Sequence, residues 1–279
     1  MKFKVSVVQM DILFGDPEGN IAKAIPLIRQ SAENGAKVVV LPELWTTGYS
    51  YDNLREVAAS HMQATAAAIS KSARDNRLYI IGSTVEIKDN ALHNTCSVVG
   101  PRGLIGQYSK VHLFRLLDED KFFRAGNSYS VYKTELGIIG TAICYDIRFP
   151  ELCRSIALAG AEVLFVPAEW PYPRISHWRN LLIARAIENQ MFVVGCNRVG
   201  TDKKSKYFGH SLIADPAGEV VVEGGESEEL LTGELDFEKL HAMRKLIPCY
   251  SDRSEASYSN RVDFEEKSER LNLQQSPLT

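Results

Sequence analysis

The strongest constraint on the fold of this chain is the regular alternation of two kinds of segment along it. Short segments rich in β-branched residues, such as residues 5–10 (VSVVQM) and 37–41 (KVVVL), predict strands. Longer amphipathic segments, such as residues 53–76 and 176–190, predict helices. Because residues 37–41 are apolar throughout, we expect that strand to be covered on both faces. The pattern predicts an α/β fold built from layers of sheet and helix.

Capping and turn signals add detail to this pattern. Asn20 stands directly before isoleucines at helical spacing and is the predicted N-cap of the first helix. Residues 100–103 (GPRG) and 215–218 (DPAG) are turn sequences between strand-like segments, and they predict two hairpins. Hairpins placed among strand–helix units predict sheets with both parallel and antiparallel strands.

Composition and length fit an ordinary globular protein. Of the 279 residues, 45% are hydrophobic and 24% are charged, which excludes a disordered chain. A typical domain has about 150 residues, but single α/β domains reach this length. We find no linker or internal repeat in residues 1–250 and predict one domain there. Residues 251–279 are polar and charged, and they form either an arm that packs on a partner subunit or a frayed end.

The charge balance and the cysteines limit the classes of partner and compartment. The 32 basic and 35 acidic side chains give a net charge of −3, so nothing favours a nucleic acid or an anionic membrane as partner. No apolar run approaches the roughly 20 residues that span a bilayer, and residues 1–4 (MKFK) do not open a signal peptide. Five scattered cysteines without a CxxC motif predict reduced thiols. We therefore expect a cytoplasmic enzyme.

Three reactive side chains each stand just beyond the end of a predicted strand: Glu43, Lys110 and Cys144. In open α/β sheets, ligands bind beyond the carboxyl ends of the strands. A carboxylate, an ammonium group and a thiol are what acyl transfer requires as base, electrostatic stabiliser and nucleophile. Taken singly, Glu43 is equally consistent with a helix cap, and Lys110 with an ordinary exposed lysine.

Cys144 is the most informative of the three. It lies between an apolar strand and Pro150, and proline favours the first position of a helix. Phe149, which precedes the proline, is disfavoured in the helical region. Cys144 is therefore predicted in a sharp strand-to-helix turn, analogous to a nucleophile elbow, with the Tyr145 N–H directed into the same space. The alternative is a buried structural cysteine, which is how we interpret the other four.

These segments are similar to the signature segments of one enzyme family. Residues 41–43 (LPE), 108–114 (YSKVHLF) and 143–151 (ICYDIRFPE) resemble, in the same order, those of the nitrilase superfamily, the carbon–nitrogen hydrolases. The similarity extends from residue 5 to about residue 235. Three further segments resemble the omega-amidase (2-oxoglutaramate amidase) branch: residues 168–171 (AEWP), 176–179 (SHWR) and 184–190 (ARAIENQ).

The resemblance implies an architecture and a set of catalytic residues. It implies an α-β-β-α four-layer sandwich of the nitrilase type, with two mixed sheets between helices, and a homodimer formed through helices. It also implies Glu43 as general base, Lys110 as stabiliser and Cys144 as nucleophile. A second glutamate is implied in the loop after the lysine, and Glu119 matches it, although acidic neighbours on both sides make the position ambiguous.

The predicted reaction is hydrolysis of a small omega-amide to a carboxylate and ammonia through a cysteinyl thioester. Lys110 and the Tyr145 N–H together form the predicted oxyanion hole. No cofactor is required, and we expect no metal, because the sequence has no HExxH or HxH motif. The alternatives are a nitrile, an N-carbamoyl compound or another aliphatic amide as substrate, a catalytically silent scaffold, or a thiol redox protein.

Substrate recognition rests on residues around the predicted turn. Arg174 is our hypothesis for the anchor of a distal carboxylate, because an arginine binds a carboxylate in bidentate geometry. A place on the surface or in a dimer contact is the alternative for Arg174. Tyr49, Trp170 and Tyr145 are the predicted walls of the substrate site.

Three further residues have open or structural interpretations. Arg148 and Glu151 either face the substrate or form a buried ion pair that braces the turn. His112 lies two residues after Lys110, and we predict a structural hydrogen bond for it rather than a catalytic Cys–His pair.

Overall fold

The computed structural model of the chain describes residues 1–259 and is built on two large sheets. Its strands, in chain order, are β1 (Lys2–Gln9), β2 (Ala36–Val40), β3 (Tyr79–Lys88), β4 (Ala91–Gly100), β5 (Gly103–Ser109), β6 (Val131–Thr134), β7 (Gly137–Thr141), β8 (Val163–Ala168), β9 (Phe192–Asn197), β10 (Val199–Thr201), β11 (Lys206–Phe208), β12 (Leu212–Ala214), β13 (Val220–Glu223) and β14 (Glu229–Asp236). Its α-helices are α1 (Pro17–Glu33), α2 (Leu54–Asn76), α3 (Glu119–Phe122), α4 (Pro150–Leu158), α5 (Ile175–Asn189), α6 (Phe237–Leu246) and α7 (Glu255–Ser259).

Each large sheet has six strands and mixes parallel with antiparallel pairs. The first has the order β14-β1-β2-β3-β4-β5, and the second has the order β13-β12-β9-β8-β7-β6. Strands β1, β2 and β3 are parallel, as are β7, β8 and β9, while the outer pairs are antiparallel. The two predicted hairpins are confirmed as β4–β5 and β12–β13.

The two sheets pack face to face, and helices cover their outer faces. Along β2, Val38 and Val40 join the cluster between the sheets, whereas Val39 packs on the other face with Ile28 of α1 and Ile69 of α2. This alternation explains why the strand is apolar at every position and confirms that it is covered on both faces. Helices α4 and α5 cover the second sheet, which completes the predicted α-β-β-α sandwich.

Gly195 allows α5 to approach β9 closely. A Cβ atom at this position would lie 2.5 Å from Leu182 and 2.7 Å from Trp178, both on α5. Any larger residue at position 195 would therefore push the helix away from the sheet that carries the strand ends described below.

The prediction for the start of the first helix was wrong. The helix begins at Pro17, and Asp16 is its N-cap, accepting the Gly19 N–H at 2.9 Å. Proline suits the first helical turn, so the start lies four residues earlier than the isoleucine spacing indicated. The Asn20 side chain instead lies inside the fold, where it bonds both backbone groups of Leu13 and the carbonyl of Thr46.

Two remaining expectations concern the polar tail and membrane-spanning segments. The interpretation of the polar tail concerns mainly residues 260–279, which lie outside the described residues. Within residues 1–259, no helix combines the length and the apolar character needed to cross a bilayer.

Candidate active site

The ends of parallel strands from both sheets meet at one place. Glu43 follows β2 and Lys110 follows β5, and these two strands run in the same direction in the first sheet. Cys144 follows β7 of the second sheet. The neighbouring strands β8 and β9 end just before Glu169 and Arg198. The sheet edges therefore bring five polar or charged side chains toward a common centre.

Lys110 forms the centre of a fully buried ionic cluster. Its Nζ atom lies 2.7 Å from Oε1 of Glu43 and 2.7 Å from Oε2 of Glu119. Its third hydrogen bond, at 3.2 Å, goes to the hydroxyl of Tyr49. All three Nζ protons are thus engaged. The ambiguity among the acidic residues is also removed, because Asp118 pairs with surface lysines and Glu119 is the residue that is buried at the cluster.

The two carboxylate oxygens of Glu43 have different surroundings. Oε1 accepts three hydrogen bonds, from the Tyr49 hydroxyl at 2.8 Å, Nδ2 of Asn94 at 2.8 Å and Nζ of Lys110 at 2.7 Å. Oε2 accepts the backbone N–H of Glu169, at 2.8 Å, and the Cys144 thiol lies within hydrogen-bonding reach of the same carboxylate. A carboxylate has about two acceptor sites per oxygen, so Oε2 keeps one free and Oε1 keeps none.

Asn94 bridges the two glutamates and was not predicted from the sequence. Its Nδ2 donates to Oε1 of Glu43 at 2.8 Å and to Oε1 of Glu119 at 2.9 Å. Its own Oδ1 is buried and has no partner within residues 1–259. The sequence carries little signal for it, because Asn94 stands between two other polar residues of β4, His93 and Thr95.

Burial and mutual charge set the protonation states in this cluster. Burial alone would lower the pKa of Lys110, but the carboxylates of Glu119 and Glu43 outweigh it and hold that pKa well above the ordinary value. Burial raises the pKa of Glu119 against the opposing effect of Lys110. The lysine is therefore a permanent cation in the site.

Cys144 occupies a sharp turn that a neighbouring aspartate braces. Its φ angle is +47°, a strained value for a residue with a side chain, and the preceding Ile143 is extended. The carboxylate of Asp146 accepts the Ile143 N–H at 2.9 Å, the Tyr108 hydroxyl at 2.7 Å and the His112 N–H at 3.0 Å. The His112 ring also bonds to Asp146, at 2.8 Å. The geometry of His112 is thus that of a structural brace.

Cys144 is only 4% exposed, and its thiol lies beside the ionic cluster. Burial and the nearby Glu43 carboxylate raise its pKa well above the ordinary value, while Lys110 acts in the opposite direction. The Tyr145 N–H, at the start of the same turn, donates to no protein acceptor in the described residues. The thiol and a free amide donor therefore lie side by side.

A cleft of about 200 Å³ opens at Cys144. It is lined by Phe114, Cys144, Tyr145, Arg148, Trp170, Pro171 and Arg174. Three of the predicted substrate-site residues, Tyr145, Trp170 and Arg174, therefore line it. Tyr49 does not, because its hydroxyl is turned inward onto Glu43 and Lys110.

Two arginines give the cleft its positive charge. The guanidinium carbon of Arg148 lies 4.7 Å from the centre of the Trp170 ring, and that of Arg174 lies 5.8 Å from the centre of the Phe114 ring. Burial lowers the pKa of Arg148, and the charge of Arg174 lowers it further. Within residues 1–259, neither arginine has a carboxylate within 4.0 Å, and Glu151 is exposed rather than paired with Arg148.

Metal and disulfide chemistry have no visible site in the described part of the chain. Residues 1–259 contain no group of three or more histidine, cysteine or acidic side chains arranged to hold a metal ion. All five cysteines are free, and Cys153 is buried in α4.

Sequence comparison identifies relatives along nearly the whole chain. The family model for carbon–nitrogen hydrolases matches residues 4–245. The 2-oxoglutaramate amidase of Bacillus subtilis is 41% identical over 254 residues, which cover 90% of this chain and 98% of that protein. The omega-amidase NIT2 of Homo sapiens is 31% identical over 268 residues, covering 92% and 97%.

Comparison with solved structures agrees with this assignment. A CN-hydrolase superfamily protein from Xanthomonas campestris, solved with an arsenic adduct in its active site, has a TM-score of 0.85 and 31% identity, covering 91% of this chain and 98% of that one. A yeast member of the nitrilase superfamily, Nit3, has a TM-score of 0.82 and 30% identity over 88% and 94%. This chain belongs to the carbon–nitrogen hydrolases of the nitrilase superfamily and is an enzyme that acts on amides.

Proposed function

We propose that this hydrolase cleaves the terminal amide of a small omega-amide whose other end is a carboxylate, such as 2-oxoglutaramate or succinamate. The observation that carries the proposal is the pair of arginines, Arg148 and Arg174, which face the cleft at Cys144 without an acidic partner in the described residues. Their neutral partners, the His177 ring for Arg148 and the Tyr172 carbonyl for Arg174, leave both positive charges uncompensated, which favours an anionic ligand. The relatives named 2-oxoglutaramate amidase and omega-amidase support the same class of substrate.

The first chemical step is attack by Cys144 on the amide carbon. Because the thiol has a raised pKa, it enters the reaction protonated and needs a base. Oε2 of Glu43 has a free acceptor site, so it is the oxygen that takes the proton. The sulfur then bonds to the carbonyl carbon, and negative charge develops on the amide oxygen.

The Tyr145 N–H and the Lys110 ammonium group stabilise this oxyanion. The N–H has no protein acceptor within residues 1–259, and the longest of the three Lys110 bonds, 3.2 Å to Tyr49, is the one that the oxyanion replaces. Loss of one such donor typically costs about 10²–10³ in kcat. Glu119 keeps Lys110 in place throughout.

Collapse of the intermediate releases ammonia and leaves a thioester. Glu43 returns its proton to the departing nitrogen, the C–N bond breaks, and Cys144 carries the acyl group. Glu43 then takes a proton from a water molecule that attacks the thioester. The C–S bond breaks, Glu43 gives the proton it took from water to the sulfur, and the acid product loses its own proton to the solvent and leaves as a carboxylate.

A substrate panel with intact-mass analysis tests this proposal. Ammonia release should be at least about tenfold more efficient in kcat/KM for 2-oxoglutaramate and succinamate than for neutral butyramide, a nitrile or an N-carbamoyl compound. An acyl adduct should appear on the wild-type chain and not on Cys144→Ala. Turnover by Cys144→Ala would overturn the mechanism, and equal efficiency with neutral amides would overturn the substrate class.

The two arginines can be tested separately from the chemistry. Arg148→Gln and Arg174→Gln should each raise the KM for 2-oxoglutaramate about 10–100-fold, because each removes a hydrogen bond to a charged group. The KM for butyramide should change less than twofold. Arg179→Gln is the matched control, since Arg179 lies on α5, which begins directly after Arg174, but is paired with Glu223 at 2.9 Å. Unchanged KM values in both cleft variants would remove the arginines from substrate binding.

The assembly and the compartment belong to the same proposal. Leu158 of α4 and Ile187 of α5 are large apolar residues that are 41% and 51% exposed, and this favours a homodimer that buries the two helices. Size-exclusion chromatography with light scattering should give twice the chain mass of 31.1 kDa. A mass of one chain would contradict the proposed homodimer.

The free cysteines favour the cytoplasm as the compartment.

A further inference from the structure

A buried pair next to the site has no part in the chemistry derived above. Glu169 and Arg198 follow the neighbouring strands β8 and β9, and both side chains are fully buried. Nη1 of Arg198 donates to Oε2 of Glu169 at 3.0 Å. Buried ionisable groups are costly to retain, so this pair requires an explanation.

Arg198 is itself held firmly from several sides. Its Nη2 donates to Oδ1 of Asp11 at 2.9 Å and to the carbonyl of Ile12 at 3.0 Å, and both residues lie beyond the end of β1. Its Nε donates to the carbonyl of Val199, and the ring of Tyr207 lies 4.3 Å from the guanidinium carbon. Arg198 is therefore a fixed anchor for Glu169.

The backbone of Glu169 reaches the general base directly. Its N–H donates to Oε2 of Glu43 at 2.8 Å. Oε2 is also the oxygen that takes the proton of Cys144 in the mechanism above. A displacement of the peptide group between residues 168 and 169 would therefore turn Oε2 of Glu43 away from the thiol.

We propose that Glu169 is a positioning residue of this site: its bond to Arg198 fixes the peptide whose N–H orients Oε2 of Glu43 toward Cys144. The inference rests on the proposed function, in which Glu43 takes the thiol proton. Glu169 itself neither contacts the substrate nor transfers a proton in that mechanism.

The unsatisfied state of the Glu169 side chain supports a functional role. Its Oε1 is buried and has no partner in the described part of the chain. Burial raises the pKa of Glu169 to about 8, although Arg198 opposes this rise. Near neutral pH the carboxyl group is therefore largely neutral, and its bond to Arg198 is one that a glutamine can reproduce.

The wall of the cleft is held independently of Glu169. Trp170 donates its backbone N–H to Oδ1 of Asn197 at 2.7 Å and accepts a bond from Nδ2 of Asn197 at 3.1 Å. Loss of the Glu169 side chain should therefore disturb Glu43 and leave the substrate cleft in place. This separation predicts an effect on kcat without an effect on KM.

Three variants test the proposal. Glu169→Met has a similar length but cannot accept the Arg198 bond, and we expect a loss of about 10–100-fold in kcat, with KM within twofold. Glu169→Gln keeps an acceptor and should restore kcat to within about threefold of the wild type. Tyr207→Phe is the matched control: it loses the bond to Asp202 on the other side of Arg198 and should lower the melting temperature without lowering kcat.

The closing measurement is the rate at which iodoacetamide alkylates Cys144 in the intact protein, followed by mass. This rate depends on Glu43 and the thiol but not on turnover of the proposed omega-amide, so it remains decisive even if the proposed substrate is wrong. We expect it to fall in Glu169→Met in parallel with kcat, and to stay near the wild-type value in Glu169→Gln and Tyr207→Phe. A wild-type rate in folded Glu169→Met, or equal losses in Met and Gln variants, would overturn the proposal.

A fourth variant covers a failure of Glu169→Met to fold, which alkylation of all five cysteines would reveal. Arg198→Lys keeps the positive charge but gives up the planar fork that binds Glu169. It should slow alkylation of Cys144 about tenfold. A wild-type rate in this variant would also overturn the proposal.

Discussion

Among single residues, the reactivity of the site depends on how hydrogen-bond donors are divided between the two oxygens of Glu43. Tyr49, Asn94 and Lys110 occupy Oε1, which leaves Oε2 as the oxygen free to accept a proton. Of the two neutral donors, Asn94 is the one that also donates to Glu119. It bridges two buried carboxylates that lie on either side of one lysine, and its own Oδ1 has no partner within residues 1–259.

Replacement of Asn94 should therefore impair the reaction more than the fold. Asn94→Ala removes both bonds to carboxylates, and hydrogen bonds to charged groups contribute about 1.5–3 kcal/mol each. We expect kcat to fall about 10²-fold in the ammonia-release assay, with a small change in KM. Thr95→Ala truncates the next residue of β4, whose side chain bonds that of Ser109, and should leave kcat within about twofold. Equal kcat values in the two variants would contradict the role of Asn94.

The sequence interpretation named Glu43, Lys110, Glu119 and Cys144 but not Asn94 or the Glu169 N–H, which hold Glu43 in place. Glu43, Lys110 and Cys144 were singled out because each follows a strand end, where ligands bind, and because the resemblance to the nitrilase superfamily implies them. Glu169 follows β8 in the same way and had the same signal. Its contribution is a backbone N–H directed across the two sheets, and the spacing of residues along one chain does not reveal a contact between residues 126 positions apart.

Among the structural elements, the turn at Cys144 is the one that the reaction depends on most. A short 3₁₀ turn, Cys144–Arg148, links β7 to α4, and it holds the cysteine at a positive φ angle. The Asp146 carboxylate joins this turn to the segment after β5 through its bonds to Tyr108 and His112. One side chain therefore fixes the nucleophile relative to the strand end that carries Lys110.

Asp146→Asn should loosen this turn. The amide group cannot accept every bond that the carboxylate accepts, so at least one buried donor loses its partner, at a cost of about 2–3 kcal/mol. We expect a lower melting temperature by circular dichroism together with a lower kcat. Asp215→Asn is the matched control, because Asp215 bonds the N–H groups of Ala217 and Glu219 in the distant β12–β13 turn. Full activity in Asp146→Asn would show that the turn tolerates the loss of its brace.

Elements with one strong local signal were predicted, and elements defined by tertiary contacts were not. The β4–β5 hairpin has an unmistakable turn sequence, and α5 has clear helical periodicity. Strand β14 was missed because Gly233 and acidic residues interrupt its alternation, and its pairing partner, β1, lies more than two hundred residues away. The start of α1 was misplaced because Asp16 and Pro17 form a cap earlier than the apolar spacing indicated.

At the scale of the whole molecule, the fold buries three glutamates where the edges of the two sheets meet. Glu43 and Glu119 share Lys110, and Glu169 has Arg198. Burial raises the pKa of both Glu119 and Glu169, so the folded protein holds these protons more tightly than the unfolded chain does. The catalytic arrangement therefore makes the stability of the entire domain depend on pH.

Glu169 allows this dependence to be measured. Its pKa rises from 4.5 to about 8 on folding, so between these values the unfolded chain releases a proton that the native protein keeps. The native state then binds more protons, and its stability falls as the pH rises through this window. Glu169→Gln has no such group, so the melting temperature of this variant minus that of the wild type should increase from pH 5 to pH 8. Glu33→Gln, which changes an exposed glutamate, should show no such trend. A difference between Glu169→Gln and wild type that stays constant across these pH values would mean that Glu169 is already ionised in the folded protein at pH 5.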